Sequence, residues 1–287
     1  MSDFINAHFI DEFKAGIEHL AQQMGSRLRG AVRVENVSAE RASFDQLGLT
    51  TMKLRTGRHV DTEYSDTPHE RRWVIPQPYD VADLVDVPDK LRVLNDPTNE
   101  YTRSFGMAAG RNIDDIIIAA AAAAATTGEN GGGSTAYATA NDVVVGGAGL
   151  TVDKILEAKE NLDAGEEGDD GRVMVSGSRQ FRDLLSLVEV TSADFNTVRA
   201  LTSGRVDGFL GFDIIRSERL DVGRAGANIR DCLYWQRSAM LLGEPMSGRA
   251  TIDRLPQKRN SMQVLYQQDL GATRMRESGV GRVECQE

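Results

Sequence analysis

Between Asp96 and Gly133 the sequence reads DPTNEYTRSFGMAAGRNIDDIIIAAAAAAATTGENGGG, and no other stretch limits the fold as much. Asp96 is a good N-cap and Pro97 a good first helical residue. Nothing breaks the helical pattern from Pro97 to about Thr126, so the spacing predicts one helix of roughly 30 residues, some 45 Å long at about 1.5 Å per residue. Tyr101, Phe105, Ala108, Ala109, Ile113, Ile116, Ile117 and Ala120 fall on one stripe. Gly106 and Gly110 each cost about 1 kcal/mol of helix propensity, yet at that spacing they let another backbone come close. Ala120 and Ala123 do the same without weakening the helix. The tight-packing candidates are thus Phe105, Gly106, Gly110, Ile113, Ile117, Ala120 and Ala123. Gly128 and the triplet Gly131, Gly132 and Gly133 are predicted to end the helix and release the chain into another domain. The uncharged window Ile116–Thr127 is about half of the roughly 20 residues a membrane span needs, so no membrane segment is expected.

The chain has 287 residues, enough for one large or two modest domains. Its net charge of -10 argues against broad nucleic-acid binding, which needs surplus Lys and Arg. Cys232 and Cys285 stand far apart in no CxxC, so neither a zinc site nor a disulfide framework is expected, and a reducing compartment is the plain reading. The opening MSDFINAHFIDEFK carries acids and lacks a basic n-region, so it does not read as a signal peptide.

Along the chain, residues 4–29 read as an amphipathic helix, with Phe9, Phe13, Ile17, Leu20 and Met24 on one face. Thr51–Thr56 alternates as a strand, and Arg71–Ile75 reads as extended, with Trp73 and Ile75 on one side and Arg72 and Val74 on the other. Gly57–His69 lies between them as a polar tip, so this region is predicted to be a long hairpin. It holds Lys53, Arg55, Arg58, Arg71 and Arg72 with Asp61, Glu63, Asp66 and Glu70. With so few apolar residues, such a hairpin either lies on its own domain or reaches for a neighbour. After the glycines, NDVVVGGAGL gives a short strand and a turn, then a helix capped at Thr151. Strand Val173–Ser176, cap Ser178, helix Arg179–Leu187, a helix in SADFNTVRALTSGR and strand Phe212–Arg216 complete a mixed α/β unit. The tail reads as strand-rich, with turns at Gly271 and Gly279 and a return to the first domain.

The segment VVVGGAGLTVDKI invites a dinucleotide reading. Its third glycine position is Val152, however, and no acid ends the next strand, so Gly147 and Gly149 are expected to be turn residues. His8, His19, His59 and His69 form no HExxH. The acids of DAGEEGDDGR lack calcium-loop spacing and read as a solvated turn. Neither GxxxxGK[ST] nor GxSxG occurs. No catalytic, cofactor or metal residues are expected.

The order of parts is an arm, a long hairpin, a long helix, an inserted α/β unit and a β-rich return. It resembles the major capsid protein of tailed bacteriophages, whose fold is named after coliphage Hong Kong 97. The markers are TGRHVDTEYSDTPHERRWVIPQPYDVADLVD as the extended loop, DPTNEYTRSFGMAAGRNIDDIIIAAA as the spine helix and QVLYQQDLGATRMRESGVGRVEC as closing strands. The resemblance implies an α+β fold with an N-terminal arm (1–40), an extended β-hairpin loop (41–84), a peripheral domain with the spine helix (85–127), an inserted axial domain (128–245) and peripheral return strands (246–287). It implies a structural protein, not an enzyme, that assembles with itself into hexamers and pentamers of an icosahedral shell, made in the host cytoplasm and found in the virion. Lys53, Arg55, Arg58, Asp61, Glu63, Arg71, Arg72 and Trp73 become intersubunit contact candidates. A separate scaffolding protein or none is implied, since only about 30 residues precede the first β-like sequence. Portal and decoration proteins are further possible partners, and packaged DNA is expected to be touched only weakly and non-specifically. An encapsulin-like compartment shell and a nucleotide-binding α/β enzyme are the alternatives.

Overall fold

The computed structural model describes residues 23–58, 61–62, 64–85, 98–186, 209–221 and 228–287. Residues 4–22 of the expected first helix, Asp96, Pro97, Glu63, Leu187 and the helix expected in SADFNTVRALTSGR lie outside the described residues. Residues 23–28 are not helical, contrary to expectation; Gly25 takes a positive φ of 75° and Met24 is exposed.

In chain order the strands and helices are β1 (Arg33–Glu35), β2 (Ala42–Leu47), β3 (His69–Val74), β4 (Gln77–Val85), α1 (Thr98–Ala122), β5 (Ala125–Thr127), β6 (Gly133–Thr135), β7 (Asp142–Val143), α2 (Val152–Ala164), β8 (Arg172–Ser176), α3 (Ser178–Ser186), β9 (Phe212–Arg216), β10 (Ile229–Gln236), β11 (Met240–Leu255), β12 (Ser261–Arg274) and β13 (Val280–Gln286). They divide into two compact units. One is made of residues 1–25, 78–111 and 247–268, the other of 26–77, 112–246 and 269–287.

In the first unit, Phe105, Met107 and Ala109 of α1 are buried. Gly110 meets a second backbone: a Cβ there would sit 2.6 Å from the Cα of Gly25. That is the close approach the glycine spacing predicts. Gly106 differs, because it is exposed and a Cβ there would meet open space.

The second unit is built on a five-stranded sheet of order β7-β13-β10-β8-β9. All five residues of β8 are buried, as an apolar run in a central strand requires. β13 runs antiparallel to β10, with Ile229 opposite Gln286 and Trp235 opposite Val280, and parallel to β7. The last strand therefore closes the α/β sheet, whereas the sequence reading sent all of 246–287 back to the peripheral sheet. Thr151 caps α2 by accepting a hydrogen bond from the Lys154 amide at 3.4 Å. Ile155, Ala158 and Leu162 then face the sheet core with Ile117, Ile118 and Ala121 of α1.

Helix α1 stops at Ala122, about one turn earlier than predicted. The buried guanidinium of Arg274 explains the stop: its Nη1 donates to the carbonyls of Ala121 at 3.0 Å and Ala123 at 2.6 Å. A cation on the last carbonyls satisfies acceptors that the helix cannot. Ala123 is exposed beyond the helix end and is not a packing residue, while Ala125 is buried on a strand. The glycines do not cap the helix. They turn β5 into β6, with Gly128 at φ 89° and Gly131 at φ 75°. Gly271 makes no turn either. It lies inside β12, where a Cβ would press the Ile75 carbonyl at 2.9 Å.

The hairpin forms with a different first arm. β2 pairs with β3 from Ala42 opposite Val74 to Leu47 opposite His69. Residues 51–56 form no strand, and Met52 and Leu54 are fully or nearly fully exposed. Two alternating apolar residues are too few to hold a register, whereas β2 alternates along all six of its positions. On β3 it is Arg72 and Val74 that are buried, and Ile75 is exposed.

Candidate assembly surface

The hairpin loop, residues 48–68, leaves its stem through one backbone hydrogen bond, Gly48 N–H to the Pro68 carbonyl at 2.8 Å. Among the described residues beyond it, Arg55 donates to the Gly57 carbonyl at 3.0 Å. Leu49, Met52, Leu54 and Tyr64 are each at least 88% exposed, and Leu47 at the stem mouth is 71% exposed. Single exposed apolar side chains are ordinary, but five within eighteen residues put an unusual density of apolar surface into water.

The stem is the opposite. Arg71 forks onto Asp45, with Nε 2.5 Å from Oδ1 and Nη2 3.3 Å from Oδ2, and its Nη1 donates to the Glu129 carbonyl at 3.3 Å. The hydrogen bond from Arg71 holds the Asp45 carboxyl below its ordinary pKa. Arg72 is buried and donates to the Met275 carbonyl at 3.2 Å, beside Gln46, which donates to the same oxygen at 2.6 Å. The carboxylates of Glu277 and Glu70 lie 3.6 and 3.7 Å from its Nη2. Trp73 donates from Nε1 to the Gly128 carbonyl at 2.7 Å, under the Arg41 guanidinium at 5.1 Å from its ring. The expected contact candidates therefore divide. Arg71, Arg72 and Trp73 are engaged within their own chain, which accounts for the stem. Lys53, Arg55, Arg58 and Asp61 are exposed on the loop.

Several charged residues hold this framework without any signal in the sequence reading. Asp114, buried on α1, accepts from the Ser26 hydroxyl at 2.6 Å and the Leu28 amide at 3.1 Å. Glu167, expected in a solvated turn, is buried and receives Arg276 at 2.7 Å and Ser278 at 2.8 Å. Arg282 joins Asp142 at 2.5 Å and Asp231 at 3.3 Å across the central strands.

The glycine turn before α2 is occupied by protein. The buried Lys154 ammonium donates to the carbonyls of Val145 at 2.7 Å, Ala148 at 2.8 Å and Glu284 at 2.8 Å. Burial pulls the Lys154 pKa below the ordinary lysine value. A phosphate cradle needs amide N–H groups turned toward an anion. Here loop carbonyls turn toward a cation, and the Asp183 carboxylate stands against Gly149 so closely that a Cβ would collide with it. No helix among the described residues is long and apolar enough to cross a membrane.

A family model for phage capsid proteins matches residues 5–287. Among solved structures, the chain is similar to the capsid subunit of cyanophage Pam1, with a TM-score of 0.75, 16% identity and coverage of 100% of this chain and 99% of that one. A structure of Mycobacterium phage Che8 gives a TM-score of 0.73 at 18% identity over 96% of this chain and 97% of that one. The capsid of cyanophage P-SCSP1u gives 0.74 at 14% identity over 96% and 92%. No curated protein matches the sequence. The fold is that of the tailed-phage capsids, of the Hong Kong 97 type, and the chain belongs to the phage capsid protein family.

Proposed function

We propose that this capsid-family chain is the major coat protein of a tailed-phage head, and that its subunits tile hexamers and pentamers into a closed icosahedral shell around the genome. Family membership is the premise, and the exposed loop on a fastened stem is the observation that carries the assembly reading. Five solvent-facing apolar side chains on one loop lose water contact only when another surface covers them. The five-stranded α/β unit takes the part of the axial domain, and α1 with the long strands β11 and β12 that of the peripheral domain. The net charge of -10 suits a wall that holds DNA without gripping it. Assembly takes place in the host cytoplasm, with a scaffolding protein and a portal as candidate partners. The Lys154-filled turn favours a structural role over nucleotide chemistry.

Negative-stain imaging of the purified protein, alone and with co-expressed phage proteins, is the test. Closed, roughly spherical particles are expected. A chain that remains monomeric at high concentration under both conditions would overturn the reading.

A further inference from the structure

We propose that the tip of the β11–β12 hairpin is a phosphate-binding element for duplex DNA, the place where an otherwise acidic wall touches the packaged genome. The proposal rests on the capsid reading, which brings a polyanion against this chain, and it names the surface that meets it. β11 and β12 are neighbours in their sheet. Their turn is a 3-10 segment, Pro256–Lys258, followed by Arg259 at φ 53° and Asn260 at φ 61°. Residues 249–260 hold Arg249, Arg254, Lys258 and Arg259 against one acid, Asp253, in a chain whose net charge is -10. All four cations are exposed. Among the described residues none of the four is held in an ion pair. Surface arginines elsewhere are engaged: Arg29 with Glu244, Arg33 with Glu35 and Arg71 with Asp45.

The chemistry around those cations selects the partner. Protein interfaces are built on an apolar, often aromatic core with a polar rim. The tip has no aromatic residue, and its one exposed large apolar side chain is Ile252, at 45%. The loop 48–68 is the contrast, with Leu49, Met52, Leu54 and Tyr64 in water. What the tip presents instead is donors: three guanidiniums, an ammonium and the amides of Gln257 and Asn260. Such donors are the ones that hold phosphate oxygens along a nucleic-acid backbone. Successive residues of a strand face opposite ways, so Arg249 and Arg254 stand on opposite faces of the ribbon, about 17 Å apart along it. The major groove of duplex DNA, about 12 Å wide, admits a two-stranded ribbon. Cations on both faces of that ribbon then meet both phosphate rows.

The test is the fluorescence anisotropy of a short labelled duplex titrated with the full-length subunit before assembly. Weak binding, alike for duplexes of different sequence, is expected, with log K falling by about 3 to 4 per decade of salt for four cations. Arg254→Ala is expected to reduce that slope by about 1 on every duplex. Lys258→Glu with Arg259→Glu is expected to weaken binding at least about tenfold at low salt, and Asp253→Asn to strengthen it. Arg55→Glu, which reverses an exposed cation of the hairpin loop, is expected to change it little. Melting curves check that each variant folds; should the double reversal misfold, Arg254→Ala and Asp253→Asn carry the test. In filled heads, formaldehyde is expected to join Lys258 to DNA, read by mass spectrometry of the peptides. A slope unmoved by the tip variants, an equal effect of Arg55→Glu, stronger competition from poly-glutamate than from duplex, or heads whose cross-links omit Lys258 would each overturn the phosphate assignment and leave the capsid reading intact. A wild-type chain that forms no particle removes the capsid reading and, with it, the genome as the partner of the tip.

Discussion

At its stem the β2–β3 hairpin is tied to its own chain by Arg71, Arg72 and Trp73, whose hydrogen-bond partners lie 26 to 203 residues away in sequence. In the loop beyond it Met52 and Leu54 face water, and among the described residues a backbone hydrogen bond from Gly48 to the Pro68 carbonyl joins the two arms. The same hairpin is thus rigid where it must be aimed and adaptable where it must be received. A loop with a loose stem would reach many places poorly, whereas a fixed stem limits the tip to a small set of positions.

The largest test of this contrast is at the stem. Arg72→Ala removes a buried guanidinium, leaving the Met275 carbonyl with Gln46 and Glu277 with Arg274 as their remaining partners. A loss of about 3 kcal/mol in subunit stability is expected, read from denaturant midpoints; a change below about 0.5 kcal/mol would mean the stem is not fastened as described. Next in size is a kinetic effect. Trypsin is expected to cut unassembled protein early at Arg55 or Arg58 and to spare those bonds in particles, in a time course with fragments identified by mass. Equal protection in both forms would place the loop on its own subunit. The smallest effect belongs to the tip: Met52→Ser should shift the melting temperature of the unassembled subunit hardly at all, since that side chain touches nothing but water. A clear destabilisation would show that the tip already packs in the monomer.

The sequence made the long elements legible and the short ones ambiguous. Helix α1 has twenty-five residues, so its period shows many times over. β8 and β9 are readable because each holds a short apolar stretch, Val173–Val175 and Ile214–Ile215, near turn signals. The glycines after the alanines were misread because a positive φ serves a helix cap and a hairpin turn equally well. Gly271 was misread because a glycine in a strand marks a turn or a close approach, and only the neighbouring Ile75–Pro76 backbone decides which. The loop was legible in its exposure and polarity but not in its register, since the two possible first arms, 42–47 and 51–56, both alternate. Asp114, Lys154 and Arg274 carried no signal at all, because each finds partners 86, 130 or 153 residues away. A lone charge in an apolar neighbourhood hints at such a role without naming the partner.

The strand order β7-β13-β10-β8-β9 also sets a schedule for synthesis. Of the five strands, the one made last lies inside the sheet, between β7 and β10. Until residue 286 has left the ribosome, β10 has an unpaired edge on one side and the Lys154 ammonium lacks the Glu284 carbonyl. A nascent subunit therefore keeps this sheet open from the end of β10 at residue 236 until β13 is made at residues 280–286, and closes it in a late step with high contact order. Hydrogen exchange on a chain truncated before Val280 would show β10 unprotected if this is so, and native-like protection there would refute it. Late closure of the sheet thus acts as a timer written into the strand order.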